Sequence, residues 1–401
     1  MKQGWEIKEL GDVCDTGAGG TPLKAHKDYY EGGTIPWLMS GEVSQGEVFE
    51  AKNFITEKGL KNSSAKLFPI NTVLVAMYGA TAGQVGILKF EACTNQAVCG
   101  ILPNDLTIPE YLFYCFLSKK EELVAQAVGG AQPNISQIKI RNTKIPLPPL
   151  PEQQRIVAIL NEAFAAIAKA KANAQQNLKN AKELFESYLQ GVFENKGEGW
   201  EEKTLGEVSK IFGRGKSRHR PRNYEKLYGG NYPFIQTGDI RNCNHYITDY
   251  SQTYSELGLA QSKLWPSGTI CITIAANIAE TGVLTFDACF PDSVIGLVVN
   301  EKNADRDFIE YLLQSFKARI QALGKGSAQA NINMETFENE LFPFPPVIEQ
   351  QTIVKKLDAL STETKKLEAI YKQKINDLEE LKKSVLQKAF SGELKIAKAL
   401  V

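Results

Sequence analysis

Pro146-Leu-Pro-Pro-Leu-Pro-Glu-Gln-Gln154 opens a run, Glu152 to Phe193, that holds no proline and a single glycine, Gly191. The prolines pre-set an extended approach, and Pro151 suits a first helical position. Within the run, Leu160, Ile167, Ala174, Ala181 and Tyr188 recur every seven residues, with Phe164, Leu178, Phe185 and Val192 in the neighbouring stripe. Such spacing predicts one helix of roughly 60 Å, at about 1.5 Å per residue, with an a/d-type seam. The device recurs at Pro343-Phe-Pro-Pro-Val-Ile-Glu-Gln-Gln351, followed by Leu357, Leu360, Leu367, Tyr371, Leu378, Leu381 and Val385. A long helix with one apolar stripe cannot bury that stripe alone. The expectation is two long antiparallel helices packed on each other as a coiled coil, holding apart what precedes each of them.

What precedes them is the same unit twice. Gly4-Trp5-Glu-Ile-Lys-Glu-Leu-Gly-Asp-Val13 reappears as Gly199-Trp200-Glu-Glu-Lys-Thr-Leu-Gly-Glu-Val208. Leu67-Phe-Pro-Ile-Asn-Thr72 reappears as Leu264-Trp-Pro-Ser-Gly-Thr269, and Phe90-Glu-Ala-Cys93 as Phe286-Asp-Ala-Cys289. Gln132 and Asn134 match Gln329 and Asn331. Collinear matches at a near-constant offset mark a tandem duplication. The predicted organisation is a globular domain at 1–150, a long helix at 151–197, a second domain at 198–346 and a second long helix at 347–401. Thr72-Val-Leu-Val-Ala-Met77 and Thr269-Ile-Cys-Ile-Thr-Ile274 read as buried strands, and Pro109–Leu117 and Asp307–Leu313 as helices. The class is mixed α+β: two tandem α/β units with a pseudo-twofold internal repeat.

Composition is that of an ordinary globular protein, with 43% hydrophobic and 23% charged residues and a formal net charge of +0. That balance gives no global signal for nucleic acid, but a local patch can hide within it. No apolar run suits a membrane span, and Met-Lys-Gln-Gly-Trp-Glu lacks the core of a signal peptide, so a cytoplasmic protein is expected. The 7 cysteines contain no CxxC pair and read as buried reduced thiols. His26, His219 and His245 have no metal-ligand spacing, so no metal site is expected.

The densest local signal is Lys210 to Lys226, which holds Arg214, Lys216, Arg218, His219, Arg220 and Arg222 with Ser217 and Tyr224 among them. Arg and Lys bind phosphates, and Arg also reads guanine through O6 and N7. Gly213, Gly215 and Pro221 favour an ordered loop over a solvated helix face. Gly215-Lys216-Ser217 is no phosphate loop, because Lys210 stands where the first glycine is required. The first unit has a sparser equivalent in Thr21, Lys24, His26 and Lys27. Ser40 and Glu42 follow Trp37, and Gln236, Thr237, Asp239, Arg241 and Asn242 follow Phe234. These are amides and carboxylates suited to base edges, or equally caps of a turn. Tyr78 and Thr81, with Asn277 and Glu280 in the second unit, lead from a strand into a loop of small residues. Gln132, Asn134, Gln329 and Asn331 suit a scaffold role.

With the repeat and the Pro-Pro-Leu-x-Glu-Gln element in view, the chain resembles the specificity subunit of type I restriction–modification systems over essentially its whole length. Gly19-Gly-Thr-Pro22, the strand and loop from Val73 to Val85, and Asn95-Gln96 also resemble that family's recognition domain. The second unit departs at Gly213-Arg-Gly-Lys-Ser217 and at Pro291-Asp292, which implies two different half-sites. The resemblance implies a non-catalytic subunit that binds a bipartite, asymmetric double-stranded DNA sequence. It implies recruitment of two methylation subunits and of restriction subunits. No cofactor is then expected in this chain; S-adenosylmethionine, ATP and Mg belong to the partners. Rival readings are weaker. A methyltransferase would carry Asn/Asp-Pro-Pro-Phe/Tyr, which is absent, and a coiled-coil adaptor whose globular ends bind proteins is told apart by salt-dependent duplex binding.

Overall fold

The computed structural model describes residues 4–126, 134–219, 221–275, 278–323 and 334–394. The chain divides into two compact units, Met1–Ala174 with Gln373–Val401, and Gln175–Lys372. The division falls inside both long helices, Leu150–Glu194 and Val347–Ser391. Each unit therefore contains one globular part and a portion of each helix.

In the first unit, a five-stranded sheet runs in the order Thr16–Ala18, Val98–Ile101, Val73–Ala76, Val85–Leu88, Glu47–Val48. The three central strands are buried on both faces, as their continuous Val/Ile/Leu runs require. A four-stranded sheet orders Asn53–Ile55, Ile35–Leu38, Ala92–Thr94 and Leu67–Phe68. The two sheets meet where Gly100 leaves room for Phe68: a Cβ on Gly100 would lie 2.6 Å from the ring. A short ribbon pairs Glu6–Glu9 with Lys144–Leu147 and brings the domain's beginning to the foot of the first long helix. Helix Pro109–Ser118 buries Leu112, Cys115 and Phe116 against the five-stranded sheet.

The second unit repeats this plan. Its five-stranded sheet orders Ser209–Arg214, Val294–Val299, Ile270–Thr273, Thr281–Leu284 and Tyr246–Ile247. Its four-stranded sheet orders Gln252–Tyr254, Tyr228–Phe234, Ala288–Cys289 and Leu264–Trp265. Gly296 makes the same allowance, with a Cβ falling 2.8 Å from Trp265. The mixed fold with two repeated domains and long helices is the one read from the duplication.

The Glu-Gln-Gln element now has a physical role. Gln153 is fully buried one turn into its helix. Its Oε1 accepts from Ile108 N at 3.0 Å, and its Nε2 donates to Leu106 O at 3.0 Å and Pro148 O at 2.9 Å. Gln350 repeats the clamp, accepting from Asp305 N at 2.7 Å and donating to Pro345 O at 2.8 Å. Each amide joins the long helix to the loop that starts the domain's own helix. Tyrosines on those domain helices add a second tie, Tyr114 Oη to Asn161 at 2.6 Å and Tyr311 Oη to Asp358 at 2.7 Å.

Within the first unit the two helical portions run antiparallel. Ile156 and Leu160 share a cluster with Leu386 and Ala389, Lys382 lies 5.1 Å over the Phe164 ring, and Lys171 pairs with Glu379. Within the second unit, Leu189 and Phe193 share a core with Val354 and Leu357. The buried stripe corrects the predicted seam in three places. Tyr188 is 41% exposed, and Leu189 and Phe193 are buried instead. After Ala181 the stripe steps by four residues, which turns the buried face toward Tyr311 and Phe308. Leu367 and Leu381 are also exposed, and Ser361 and Thr364 take inner positions. The Thr364 hydroxyl is satisfied by Leu360 O at 2.9 Å, so a polar residue is tolerated there.

All the cysteines are free, and burial pushes the Cys99 and Cys115 thiols up to about 12. Among the described residues no helix is long and apolar enough to cross a membrane, and no cluster could hold a metal ion.

His245 occupies a left-handed turn (φ 71°) where the first domain has Gly46 (φ 81°). Both carbonyls accept a strand N–H, from Val283 and Ile87, at 2.8 Å. The His245 ring sits between Asp307 at 3.3 Å and Glu310 at 2.5 Å. Burial opposes its charge, but the two carboxylates outweigh burial and raise it to about 9. In the first domain Lys89 makes a comparable tie, to Glu47 at 3.0 Å and Glu110 at 3.3 Å.

Two outcomes follow from this packing. Gln153→Ala or Gln350→Ala leaves buried backbone groups unpaired and should cost about 2–4 kcal/mol in denaturant unfolding of the full chain. A charged His245 stabilises the second unit fully below the unfolded value of about 6.5. That contribution is lost as pH rises through about 9. Thermal melts of the parent should therefore fall across pH 7–9, and His245→Asn, which keeps the left-handed turn, should flatten that dependence.

Candidate nucleic-acid interface

The basic loop of the second domain leaves strand Ser209–Arg214 and is held in place by its neighbours. Gly215 N donates to Val294 O at 2.8 Å and Lys216 N to Phe290 O at 3.1 Å. A Cβ on Gly215 would fall 2.3 Å from Phe290 O, so this close approach requires glycine. Ser262 Oγ donates to Lys216 O at 2.8 Å, and His219 N donates to Gln261 Oε1 at 3.0 Å. The His219 ring stacks on Tyr224 at 5.1 Å and 10°. Ser217 is buried beneath the loop. Lys216 and Arg218 are exposed and have no acidic partner among the described residues. Arg222, by contrast, makes a two-pronged pair with Asp292 at 2.9 and 3.0 Å, and Arg214 Nε donates to Asp292 O at 3.0 Å. Arg220 lies outside the described residues.

The first domain ties its loop down in the same way. Gly19 N donates to Val98 O at 3.0 Å and Gly20 N to Thr94 O at 2.9 Å, while Thr21 hydrogen-bonds Gln96. His26 stacks on Tyr29 at 4.7 Å and 19°, repeating the histidine–tyrosine pair. Lys24 and Lys27 are exposed. Lys24 edges an open groove of about 740 Å³ whose other lining includes Tyr30, Met39, Lys52, Asn53 and Phe54. Met39 and Phe54 present apolar surface, 40% and 44% exposed. Sequence reasoning missed these last four. Strand pairing could have flagged Asn53 and Phe54, which lie opposite Trp37 and Pro36, as Gln252 lies opposite Phe234; Met39 and Lys52 lie outside the strands and carried no such signal. In the second domain the matching place is polar: Gln236 Nε2 donates to Gln252 Oε1 at 2.6 Å.

Other candidates serve the scaffold. Glu42 is buried, and its carboxylate accepts from Met39 N at 2.7 Å and Lys52 N at 2.9 Å. Asp239 accepts from Gln236 N at 2.8 Å and Ser251 Oγ at 3.2 Å. Both cap the turn they begin, which is the second of the two readings the sequence offered; Glu42 uses both of its oxygens, while Asp239 uses Oδ2 for both bonds. Ser40 and Thr237 are the first residues of those turns and are half-buried. Thr81 Oγ1 donates to Tyr78 O at 3.2 Å within a turn that needs left-handed Gly79 and Gly83. The Tyr78 ring itself is 38% exposed, and its backbone bridges Asn134. Arg241 lines a cavity of about 560 Å³ with Glu186, Gln190, His245 and Lys317. Asn242 is exposed beside Tyr246 and Asp249. Glu280 is paired with Lys317 at 2.8 Å. Asn277, Gln132, Gln329 and Asn331 lie outside the described residues.

One scaffold is thus used twice, and each copy carries a loop of exposed cations. The sequence model of the family described as "Type I restriction modification DNA specificity domain" matches residues 2–179 and again 197–380. The chain belongs to this family, in two copies: its work is DNA target specificity, and the catalytic activities of such systems sit in other subunits. Among curated relatives, it is 25% identical to the type I restriction enzyme MjaIX specificity subunit of Methanocaldococcus jannaschii, covering 98% of this chain and 94% of that one. It is 23% identical to the EcoKI specificity subunit of Escherichia coli K12, covering 98% and 90%. Two solved structures share the fold. One, from work on assembly and conformational transition of the type I R-M system, has a TM-score of 0.79 at 22% identity over 98% of this chain and 99% of that one. The other, the HsdS subunit from Thermoanaerobacter tengcongensis, has a TM-score of 0.66 at 21% identity, covering 98% of each.

The geometry separates exposed cations from capping carboxylates. Lys216→Ala and Arg218→Ala should each flatten the log–log salt dependence of duplex binding by about 0.9 if they meet phosphates. Asp239→Ala should instead cost about 1 kcal/mol of stability through the lost cap and leave that slope unchanged.

Proposed function

We propose that each globular domain reads one half of a bipartite, asymmetric DNA target, the first from residues 1–150 and the second from 198–346. The long helices at 151–197 and 347–401 set the distance between the half-sites and dock two methylation subunits, with restriction subunits joining the assembly. The observation that carries this reading is one scaffold bearing two different loops. The second domain offers Arg214, Lys216, Ser217, Arg218, His219, Arg220, Arg222 and Tyr224; the first offers Thr21, Lys24, His26 and Lys27, with Tyr78 beyond them. Gln236, Thr237, Arg241, Asn242 and Asn277 extend the second contact surface, and Ser40 the first. Met39, Lys52, Asn53 and Phe54 join the first domain's surface, where an apolar floor between two lysines suits a thymine methyl beside a phosphate.

The chain needs no cofactor of its own on this reading. S-adenosylmethionine, ATP and Mg act in the partner subunits, and the complex works in the cytoplasm. Mapping methylated adenines in DNA from cells that carry this chain with its cognate methylation subunits should return a two-part sequence with a fixed unspecified spacer. A single uninterrupted motif would overturn the proposal.

A further inference from the structure

We propose that Asp292 is a specificity-determining residue of the second domain: a built-in counter-anion that occupies Arg222 and so suppresses binding to DNA of the wrong sequence. The proposal rests on the reading that the loop from Arg214 to Tyr224 faces DNA. The carboxylate comes from the turn before strand Val294–Val299 and stands beside the basic loop. Its side chain is 43% exposed and that of Arg222 is 51% exposed, so the pair is open to solvent. Both carboxylate oxygens engage the same guanidinium nitrogen, at 2.9 and 3.0 Å, and the Asp292 carbonyl also accepts from Arg214. Lys216 and Arg218, on the same loop, carry no such acid among the described residues.

The first domain supplies the contrast. The matching backbone ties, Gly19 to Val98 and Gly20 to Thr94, place Gln96 where the second domain has Asp292. There the link is neutral, Gln96 with Thr21, in a loop whose only lysines are Lys24 and Lys27. The acid thus stands where cations are dense and an amide where they are sparse. An exposed ion pair is weak and opens readily when a better partner arrives. An exposed carboxylate among the cations also repels phosphate that is not held by other contacts. A correctly read sequence holds the duplex by its base contacts and can displace Asp292 from Arg222. A random sequence meets a loop with one cation already occupied.

The test uses the full chain, with duplexes carrying the mapped target or a scrambled sequence, at several salt concentrations. Asp292→Asn should tighten scrambled-duplex binding about two- to fivefold, the fold-change equivalent of one exposed ion pair. It should steepen the log–log salt slope by about 0.9, one phosphate contact. The ratio of target to scrambled affinity should narrow, and Asp292→Glu should restore it. In an Arg222→Ala background, Asp292→Asn should change slope and ratio by clearly less than with Arg222 present, because only the carboxylate's own repulsion of phosphate is then removed; an equal change in both backgrounds would contradict the occupancy of Arg222. If Asp292→Asn weakens both duplexes equally, or if the slope does not move, Asp292 is only a loop anchor and the proposal is wrong. If Lys216→Ala with Arg218→Ala leaves binding to both duplexes intact, the loop does not face DNA, and that reading falls together with the proposal.

Discussion

The structure depends on one buried primary amide, used twice. Gln153 and Gln350 sit one turn inside the long helices with their side chains closed off from water. A buried amide must find partners for both ends, and here they lie on separate segments: the proline stretch before the helix and the loop before the domain helix. The prolines matter for the same reason. They hold the approaching chain extended and leave the Pro148 and Pro345 carbonyls for the amide rather than for a helix. A domain fastened in this way cannot swing freely about the root of the helix that follows it.

Above that root, scaffold and surface obey different rules. The scaffold is the same in both copies, down to a strand glycine that admits an aromatic ring from the second sheet, Phe68 in one and Trp265 in the other. The surface diverges at matching backbone positions. Gln96 stands against Asp292, Met39 against Gln236, and Asn53 against Gln252. Where a position is tied by backbone hydrogen bonds, its side chain can change without disturbing the fold, and recognition of different sequences needs that freedom.

The duplication and the helix-opening motif made the two domains and two long helices legible, because repeats and long periodic runs survive without tertiary information. The fine seam was not legible. Tyr188, Leu367 and Leu381 are apolar and well spaced, but Thr364 can be buried by bonding its own helix's carbonyls, which hydrophobicity alone does not reveal. Glu42 and Asp239 were ambiguous for a similar reason. A carboxylate two residues into a turn can face outward to a base or back to a backbone N–H, and only the fold decides. The groove beside Lys24 was missed because Met39 and Phe54 look like core residues by type, and only the fold leaves them 40% and 44% exposed.

On the proposed reading each domain recognises its own half of the target independently of the other. Replacing residues 198–346 with the second domain of another family member and mapping the methylated sequence in cells tests this directly. One half of the recognised sequence should change while the other half stays as it was. An unchanged sequence, or a change in both halves at once, would contradict it.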